Sequence, residues 1–317
     1  MTGAGRDDLP GVPEDLVDRL RATLAELPVL AGAPRTVERL EGGLTNVNFK
    51  VTTPERTAVL RLSTSDADLL AIDRAAEEAN SRRAAESGAA PEVLAYLPER
   101  NALVVEWVQG RTLAPDDLRD EKVLGQAADV CRTLHAGPSF VGDFDMFQVQ
   151  RRYLSLVTER GFRLPPRYLE LMPEVDRIRA ALAVRQEPTV PCNNDLLAAN
   201  FIDDGSRLWV IDYEYAGNND ACFELGNIWS ESDLSLDHLE LLVDRYYRRH
   251  LTHKVARARL LGLMSKYGWT LWASIQDAVS PIDFDFWSWG MEKYERALAE
   301  FDGPDLPRLL DEAARAD

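Results

Sequence analysis

Cysteine and histidine are scarce in this 317-residue chain, which has three cysteines and four histidines. No cysteines stand in a CxxC spacing and no histidines at the spacing of a zinc site, so we expect reduced core thiols at Cys131, Cys192 and Cys222. No run approaches the roughly 18–20 apolar residues that span a bilayer. The N-terminus also lacks the basic flank and apolar run of a signal peptide. These absences predict a cytoplasmic protein with no membrane span.

Positive charge is also in short supply. Lysine and arginine number 36 against 53 aspartates and glutamates, which gives a net charge of −17. A phosphate backbone would be repelled, so a nucleic-acid partner is disfavoured. A small cationic substrate would be attracted, although an acidic surface that keeps the protein in solution explains the charge equally well.

The first hundred residues predict one helix, a group of strands and a second helix. Residues 1–12 are rich in Gly, Asp and Pro and predict a flexible tail, after which a helix opens near Pro13. VERLEGGLTNVNFKV and TAVLRLS then predict three strands joined by a glycine turn and a short loop. Segment 66–88 predicts a helix that closes at Gly88, and PEVLAYLPERNALVVEWVQG predicts two more strands around a turn near 99–101.

Beyond Gly110 the sequence is typical of a mainly helical region, interrupted by a short β region at 200–214. We therefore expect a two-lobed α+β fold. A small lobe at 13–108, with an antiparallel sheet and one main helix, would bind the nucleotide. A larger, mainly helical lobe at 109–317 would carry the catalytic and acceptor-binding residues, with the connection near 106–110.

The segment NNDLLAANFIDDGSRLWVIDYEYAG carries the strongest chemical signal. Asp195 precedes Asn200 by five positions, and a predicted hairpin returns the chain so that Asp212 lies beside Asn200. A carboxylate and an amide oxygen are hard ligands that suit Mg²⁺ with the phosphates of ATP. Asp195 is then free to accept the proton of an attacking hydroxyl. Turn formation is the alternative reading for Asp and Asn, and we accept it only for the DDGS turn at 203–206.

The first lobe supplies candidates for holding the phosphates. Arg61 on the third strand and Glu77 on the following helix stand in the order that kinases use to grip the α- and β-phosphates. An exposed arginine with a chance ion pair is the alternative. The glycine turn between the first two strands brings backbone and side-chain donors to the same phosphates: Gly42, Gly43, Thr45 and Asn46.

These segments resemble the choline/ethanolamine kinase branch of the aminoglycoside phosphotransferase-like superfamily, which is related to the protein kinases. The resemblance covers about 37–300 and depends on EGGLTNVNFKV, AVLRL, IDRAAEEAN, CNNDLLAANFI, VIDYEYAGNND and FELGNIWSE. It implies a protein-kinase-like fold with Asp195 at the catalytic base position and Asn200 and Asp212 as metal ligands. The family's loop commonly begins with His, whereas this chain has Asn193, which we interpret as a substitution in the loop scaffold.

The acceptor end of the site is indicated by tryptophans. Trp269 and Trp272 stand three apart, on one face of a predicted helix, and core packing is the simplest explanation of such a pair. The resemblance changes that interpretation, because this region is similar to the segment whose aromatic rings surround the trimethylammonium group in choline kinases. It implies that Trp269, Trp272 and Trp289 form a cation cage, that Trp287 packs, and that Glu231 offsets the substrate charge.

The leading hypothesis is an ATP- and Mg²⁺-dependent kinase of a small cationic amino alcohol of the choline or ethanolamine type. The segment SDLSLD after Glu231 lacks the further aromatic residues that choline kinases often carry there, so the acceptor stays open. One alternative is a kinase of a larger amine alcohol, such as an aminoglycoside or thiamine. Another is a non-catalytic pseudokinase, for which Asn193 is the supporting feature.

Overall fold

The computed structural model describes residues 12–32, 34–41, 46–63 and 69–315. The helices within these ranges are α1 (Glu14–Ala25), α2 (Arg74–Ser87), α3 (Glu121–His135), α4 (Met146–Arg160), α5 (Met172–Val184), α6 (Ala221–Glu231), α7 (Leu236–Tyr247), α8 (Thr252–Val279), α9 (Phe286–Phe301) and α10 (Leu306–Ala313). The strands are β1 (Thr36–Leu40), β2 (Asn46–Thr52), β3 (Thr57–Ser63), β4 (Val93–Leu97), β5 (Ala102–Glu106), β6 (Arg111–Thr112), β7 (Thr189–Cys192), β8 (Phe201–Asp203), β9 (Leu208–Val210) and β10 (Gly217–Asp220). This is the predicted two-lobed α+β arrangement.

The first five strands form one antiparallel sheet in the order β1-β2-β3-β5-β4. Side chains alternate across its two faces, as the strand period requires. Leu60 and Leu62 of β3 are fully buried in a core that includes Leu20 and Leu24 of α1. Arg61 therefore projects from the opposite face of the sheet. The predicted strands in this part of the chain are confirmed.

Helix α2 begins later than the sequence predicted. Its first residue is Arg74, because the carboxylate of Asp73 accepts hydrogen bonds from the backbone N–H groups of Ala75 and Ala76, both at 3.0 Å. This is a standard N-cap, and it ends the non-helical backbone before it. The predicted close at Gly88 is confirmed, since that residue has φ 85 in the left-handed region.

The larger lobe is built around α8, a 28-residue helix that is buried over most of its length. Helices α4, α6 and α9 pack against it. The α6–α8 crossing is close because Gly226 and Gly262 face each other, and the backbone of Ala258 leaves no room for a Cβ at Gly226. Within the ranges given above, none of the helices has the length and apolar character needed to cross a membrane.

Short strands in this lobe are more numerous than the β region predicted at 200–214. The β8–β9 hairpin is the predicted one and is confirmed, with Phe201 opposite Val210. Strand β6 adds to its edge, and β7 pairs antiparallel with β10. The sequences TVPC and GNND carry a proline and asparagines instead of alternating apolar residues, so pairing across the fold, not local preference, makes them strands. The three cysteines are free and buried, as predicted.

Candidate active site

The loop that follows β7 carries the predicted base and is tied to the segment that carries Asp212. Asn193 is buried, and its side-chain nitrogen donates to the carbonyl oxygens of Asp212 at 2.7 Å and Ile211 at 3.3 Å. Its side-chain oxygen accepts the backbone N–H of Asp195 at 3.1 Å. One amide therefore connects the base to the predicted metal ligand, which is the connection that the predicted scaffold function of Asn193 requires.

Asn200 and Asp212 lie side by side at the end of the β8–β9 hairpin. The backbone N–H of Ile211 donates to the carbonyl oxygen of Asn200 at 3.0 Å. The Asn200 side-chain nitrogen donates to the carbonyl oxygen of Asp195 at 2.7 Å, which leaves the amide oxygen as the atom for a metal. Asp212 has φ 63, a left-handed backbone that is costly for a residue with a Cβ. The hairpin thus brings together all three predicted residues.

Arg61 joins the two lobes. Its guanidinium forms an ion pair with Glu77 on α2 and donates to Oδ1 of Asp212 at 2.9 Å. The predicted Arg61–Glu77 pair is therefore present in the structure. The sequence analysis missed two further members of this network, Arg74 and Glu214. Arg74 lies 2.8 Å from Glu77 and also binds Glu214.

Of the other predicted phosphate-side residues, Asn46 lies at the start of β2. Asn46 is buried, and its side-chain nitrogen donates to Oε1 of Glu214 at 2.7 Å. It therefore reaches across to the segment after Asp212. The predicted residues Gly42, Gly43 and Thr45 lie outside the residues that the structure describes, so their contact with phosphates stays a prediction.

A cavity of about 370 Å³ lies between the five-stranded sheet and the β8–β9 hairpin. Its lining includes the polar side chains of Arg61, Asn200 and Asp212. The other lining residues are mostly apolar, among them Val59, Leu103, Val105, Trp107, Val108 and Ile202. An apolar slot that also holds charged side chains suits a nucleotide, whose base is flat and whose phosphates are anionic.

Helix α6 holds the base loop through polar side chains that the sequence analysis did not single out. The two carboxylate oxygens of Glu224 accept the backbone N–H groups of Asn193 and Asn194, both at 2.8 Å. One turn later, Asn227 accepts the N–H of Leu196 at 2.6 Å. Polar residues inside an otherwise buried helix were the available signal, in FELGNIWSE. They satisfy the backbone of a loop that makes few bonds of its own.

Two of the three predicted acceptor tryptophans contact one tyrosine, and the third contacts one of those two. Trp272 donates from its indole nitrogen to the hydroxyl of Tyr215 at 2.9 Å. The Tyr215 ring lies 4.8 Å from that of Trp269, and Trp289 of α9 lies 5.6 Å from Trp272. Tyr215 follows Asp212 by three residues, so it links the acceptor end to the phosphate end. Trp287 packs elsewhere, 3.8 Å from the guanidinium of Arg163.

Glu231 has a partner that the sequence did not indicate. Its carboxylate forms an ion pair with the ammonium group of Lys293 on α9. Both side chains are buried, and the Lys293 ammonium also lies 4.2 Å from the ring centroid of Trp289. Two of the four residues predicted to bind the acceptor therefore contact a cation that belongs to the protein.

The charges around Asp195 come from both ends of the site. Burial and then the negative charge of Glu231 raise the pKa of the Asp195 carboxyl well above its usual value. Asp212 and Glu214 act in the same direction, whereas Lys293 opposes them. Asp195 therefore lies within electrostatic reach of the metal-side carboxylates and of the Glu231–Lys293 pair.

Comparison with known proteins agrees with this geometry. The family model for choline/ethanolamine kinases matches residues 37–242. The chain is 27% identical to ethanolamine kinase 2 of Mus musculus over 343 aligned positions, which cover 93% of this chain and 88% of the relative. A choline/ethanolamine kinase family protein from Mesorhizobium loti superposes with a TM-score of 0.83 at 31% identity, covering 94% of this chain and 99% of the other. An aminoglycoside 2'-phosphotransferase in its GDP complex shares the fold, with a TM-score of 0.64 at 17% identity and coverage of 90% and 99%. The chain belongs to the choline/ethanolamine kinase family.

Proposed function

We propose that Asp195, Asn200 and Asp212 transfer the γ-phosphoryl group of ATP to the hydroxyl of a small cationic amino alcohol. The family gives the reaction class, which is ATP-dependent phosphorylation of an amino alcohol. The observation that supports the assignment of residues is the hydrogen-bonded unit of Asn193, Asp195, Asn200 and Asp212, in which the Asn193 and Asn200 side chains bind the backbone of Asp195 and Asn193 also binds that of Asp212. A cytoplasmic location, where ATP is available, is part of the proposal.

The family uses a divalent metal with ATP, and we propose that it is Mg²⁺. The donor set suits that ion, because the Asn200 amide oxygen and the Asp212 carboxylate are hard ligands and leave positions for phosphate oxygens and water. Carboxylate oxygens of Glu77, Asp212 and Glu214 also lie within 4.8 Å of one another. When bound, the ion would neutralise charge on the transferring phosphates.

The residues of the chain carry the remaining steps. The acceptor hydroxyl oxygen attacks the γ-phosphorus while its proton passes to the Asp195 carboxylate, and the bond from phosphorus to the β–γ bridging oxygen breaks to release ADP. Arg61, held by Glu77, supplies fixed positive charge beside the phosphates. Because Asn193 fixes both Asp195 and Asp212, base and metal ligand keep their relative position during the transfer.

The aromatic group at the acceptor end supports a cationic acceptor of the choline or ethanolamine type. The rings of Trp269 and Trp272 both contact Tyr215, and aromatic faces attract cations by about 2 kcal/mol or more when desolvated. Scattered carboxylates would suit an aminoglycoside better than such rings. The pseudokinase alternative loses its support from Asn193, because that residue braces the loop through three side-chain hydrogen bonds.

An acceptor panel with coupled ADP detection tests the proposal. Wild-type protein should turn over choline, ethanolamine or both, and Asp195→Ala should abolish turnover while ATP binding persists. Asp203→Ala removes a partly exposed carboxylate in the β8–β9 hairpin and serves as the control that keeps activity. Wild-type protein that binds ATP but phosphorylates no alcohol in the panel would instead identify a pseudokinase. Full activity in Asp195→Ala would remove the assigned base.

A further inference from the structure

Lys293 places an ammonium group of the protein against two of the residues predicted to bind the acceptor. It is 3% exposed, its ammonium forms an ion pair with Glu231, and the same ammonium lies 4.2 Å from the ring centroid of Trp289. A cation bound by a carboxylate and an aromatic face is the arrangement that the amino-alcohol substrate itself would be expected to make there. Lys293 therefore occupies one carboxylate oxygen of Glu231 and one face of the Trp289 ring.

The second oxygen of Glu231 is left without a donor. The side chain is 1% exposed, and Oε1 is buried with no hydrogen-bond partner among the described residues. A buried carboxylate oxygen without a donor is costly, because it has lost water and gained nothing in return. A ligand that brings an N–H group to this oxygen removes that cost.

The Glu231–Lys293 pair lies within electrostatic reach of the proposed base. The charges of both residues act on Asp195, in opposite directions. The ring of Trp289, which faces Lys293, lies 5.6 Å from the ring of Trp272 in the tryptophan–tyrosine group. We infer that an acceptor whose hydroxyl reaches Asp195 has its amine close to this pair.

We propose that Lys293 determines acceptor specificity: by occupying one oxygen of Glu231 and the face of Trp289, it selects ammonium groups that carry N–H donors over fully methylated ones. This inference depends on the proposed function, because it concerns the acceptor of the same transfer. Lys293 is a specificity-determining residue and takes no part in the phosphoryl transfer itself.

The selection has a simple chemical basis. A primary ammonium has three N–H donors, of which one can bind Oε1 of Glu231 while the others remain for water or the protein. A trimethylammonium has none, so it would bury the same oxygen without satisfying it and would find the Trp289 face already taken. A hydrogen bond between two charged groups is strong enough to change relative kcat/KM by about tenfold or more.

A methylation series of acceptors tests the proposal in the wild-type protein. The measurement is kcat/KM for ethanolamine, N-methylethanolamine, N,N-dimethylethanolamine and choline at saturating ATP. We expect a decrease along the series, with the largest step at the loss of the last N–H group and about a tenfold or greater difference between ethanolamine and choline. Equal values, or an increase toward choline, would overturn the inference. Absence of turnover with all four would overturn the proposed function instead.

Variants then assign the preference to the lysine. Lys293→Met exposes the Trp289 face and the full charge of Glu231, so the ratio of kcat/KM for ethanolamine to that for choline should fall at least severalfold. Lys293→Arg keeps the ion pair and should keep this ratio. Lys254 is a matched control, because it is a buried lysine 2.7 Å from Glu187 and 5.0 Å from the ring centroid of Tyr247. Lys254→Met should leave the ratio unchanged. An unchanged ratio in Lys293→Met would also overturn the inference.

Discussion

Replacing Asn193 by alanine removes the side chain that connects Asp195 to Asp212 and leaves the loop attached to the helix below it. The backbone N–H of residue 193 still donates to Glu224 in the variant, since that bond does not involve the side chain. What is lost is one bond to the Asp195 N–H at 3.1 Å and two to backbone carbonyl oxygens, at 2.7 and 3.3 Å. The perturbation is therefore aimed at the relative position of base and metal ligand.

The size of the effect follows from those three bonds. A net hydrogen bond stabilises by about 1 kcal/mol, and a buried group left without a partner costs about 1–3 kcal/mol. The 3.3 Å bond to Ile211 is long, so two bonds dominate and the expected loss in the free energy of unfolding is about 2–4 kcal/mol. A shift of about 1 Å between reacting groups lowers rate by about a hundredfold. We therefore expect kcat of Asn193→Ala to fall by about tenfold to a hundredfold, which corresponds to a shift of up to about 1 Å.

The assay pairs urea unfolding with steady-state ADP release. Asn218→Ala is the matched control, because that asparagine also makes hydrogen bonds at 2.8–2.9 Å, to Phe140 and Gly142, away from the base. It should lose similar stability and keep kcat. Asn193→His, which retains one donor and one acceptor, should recover part of the activity. If Asn193→Ala kept wild-type kcat at saturating substrate, the connection between Asp195 and Asp212 would not matter for catalysis.

Two further predictions concern other parts of the larger lobe. Trp269→Ala and Trp272→Ala should each raise the KM of the acceptor by about tenfold or more while the KM of ATP stays nearly constant. Trp287→Ala is the control. Equal changes in both KM values would mean that Trp269 and Trp272 only pack in the core. Burial lowers the pKa of Lys266 to about 8, although its ammonium lies 3.8 Å from the ring centroid of Trp229. The folded-state pKa is below the ordinary value, so between about pH 8 and pH 10 the unfolded chain binds more protons than the folded protein. The free energy of unfolding of the wild-type protein therefore increases with pH over that range. Lys266→Met should therefore be more stable at pH 7 by roughly 1–3 kcal/mol, with an advantage that shrinks above pH 8; a constant difference in urea unfolding would contradict this.

Much of the fold could be predicted because its signals are local. Alternating apolar residues in TAVLRLS predict β3, and the same alternation places Arg61 on the face opposite the core. The β8–β9 hairpin was predictable from two apolar runs around DDGS. The β7–β10 pair was not, because its residues lack alternation and become strands only by pairing with each other over 25 or more positions. The start of α2 was missed because an aspartate cap can stand at several places in DADLLAID, and local sequence does not choose among them.

The residues proposed to carry the chemistry were predictable for a similar reason. The residues that contact and position them were not. Asp195, Asn200 and Asp212 lie within 18 positions of one another, so a single hairpin brings them together. Glu224 and Lys293 act from helices that meet the site only after the whole lobe has packed. In sequence, both resemble ordinary charged residues of amphipathic helices, which are usually solvated.

Glu231 shows what this difference means for function. Family resemblance pointed to this carboxylate, and the prediction treated its charge as free for the substrate. Lys293, 62 positions later, neutralises that charge in the folded protein. A buried ion pair is weak evidence for stability, because desolvation offsets much of its attraction. We therefore interpret this pair by its effect on ligand specificity. In the acceptor site that we propose, the pair distinguishes N–H donors from methyl groups, and specificity then depends on a residue that no local motif marks.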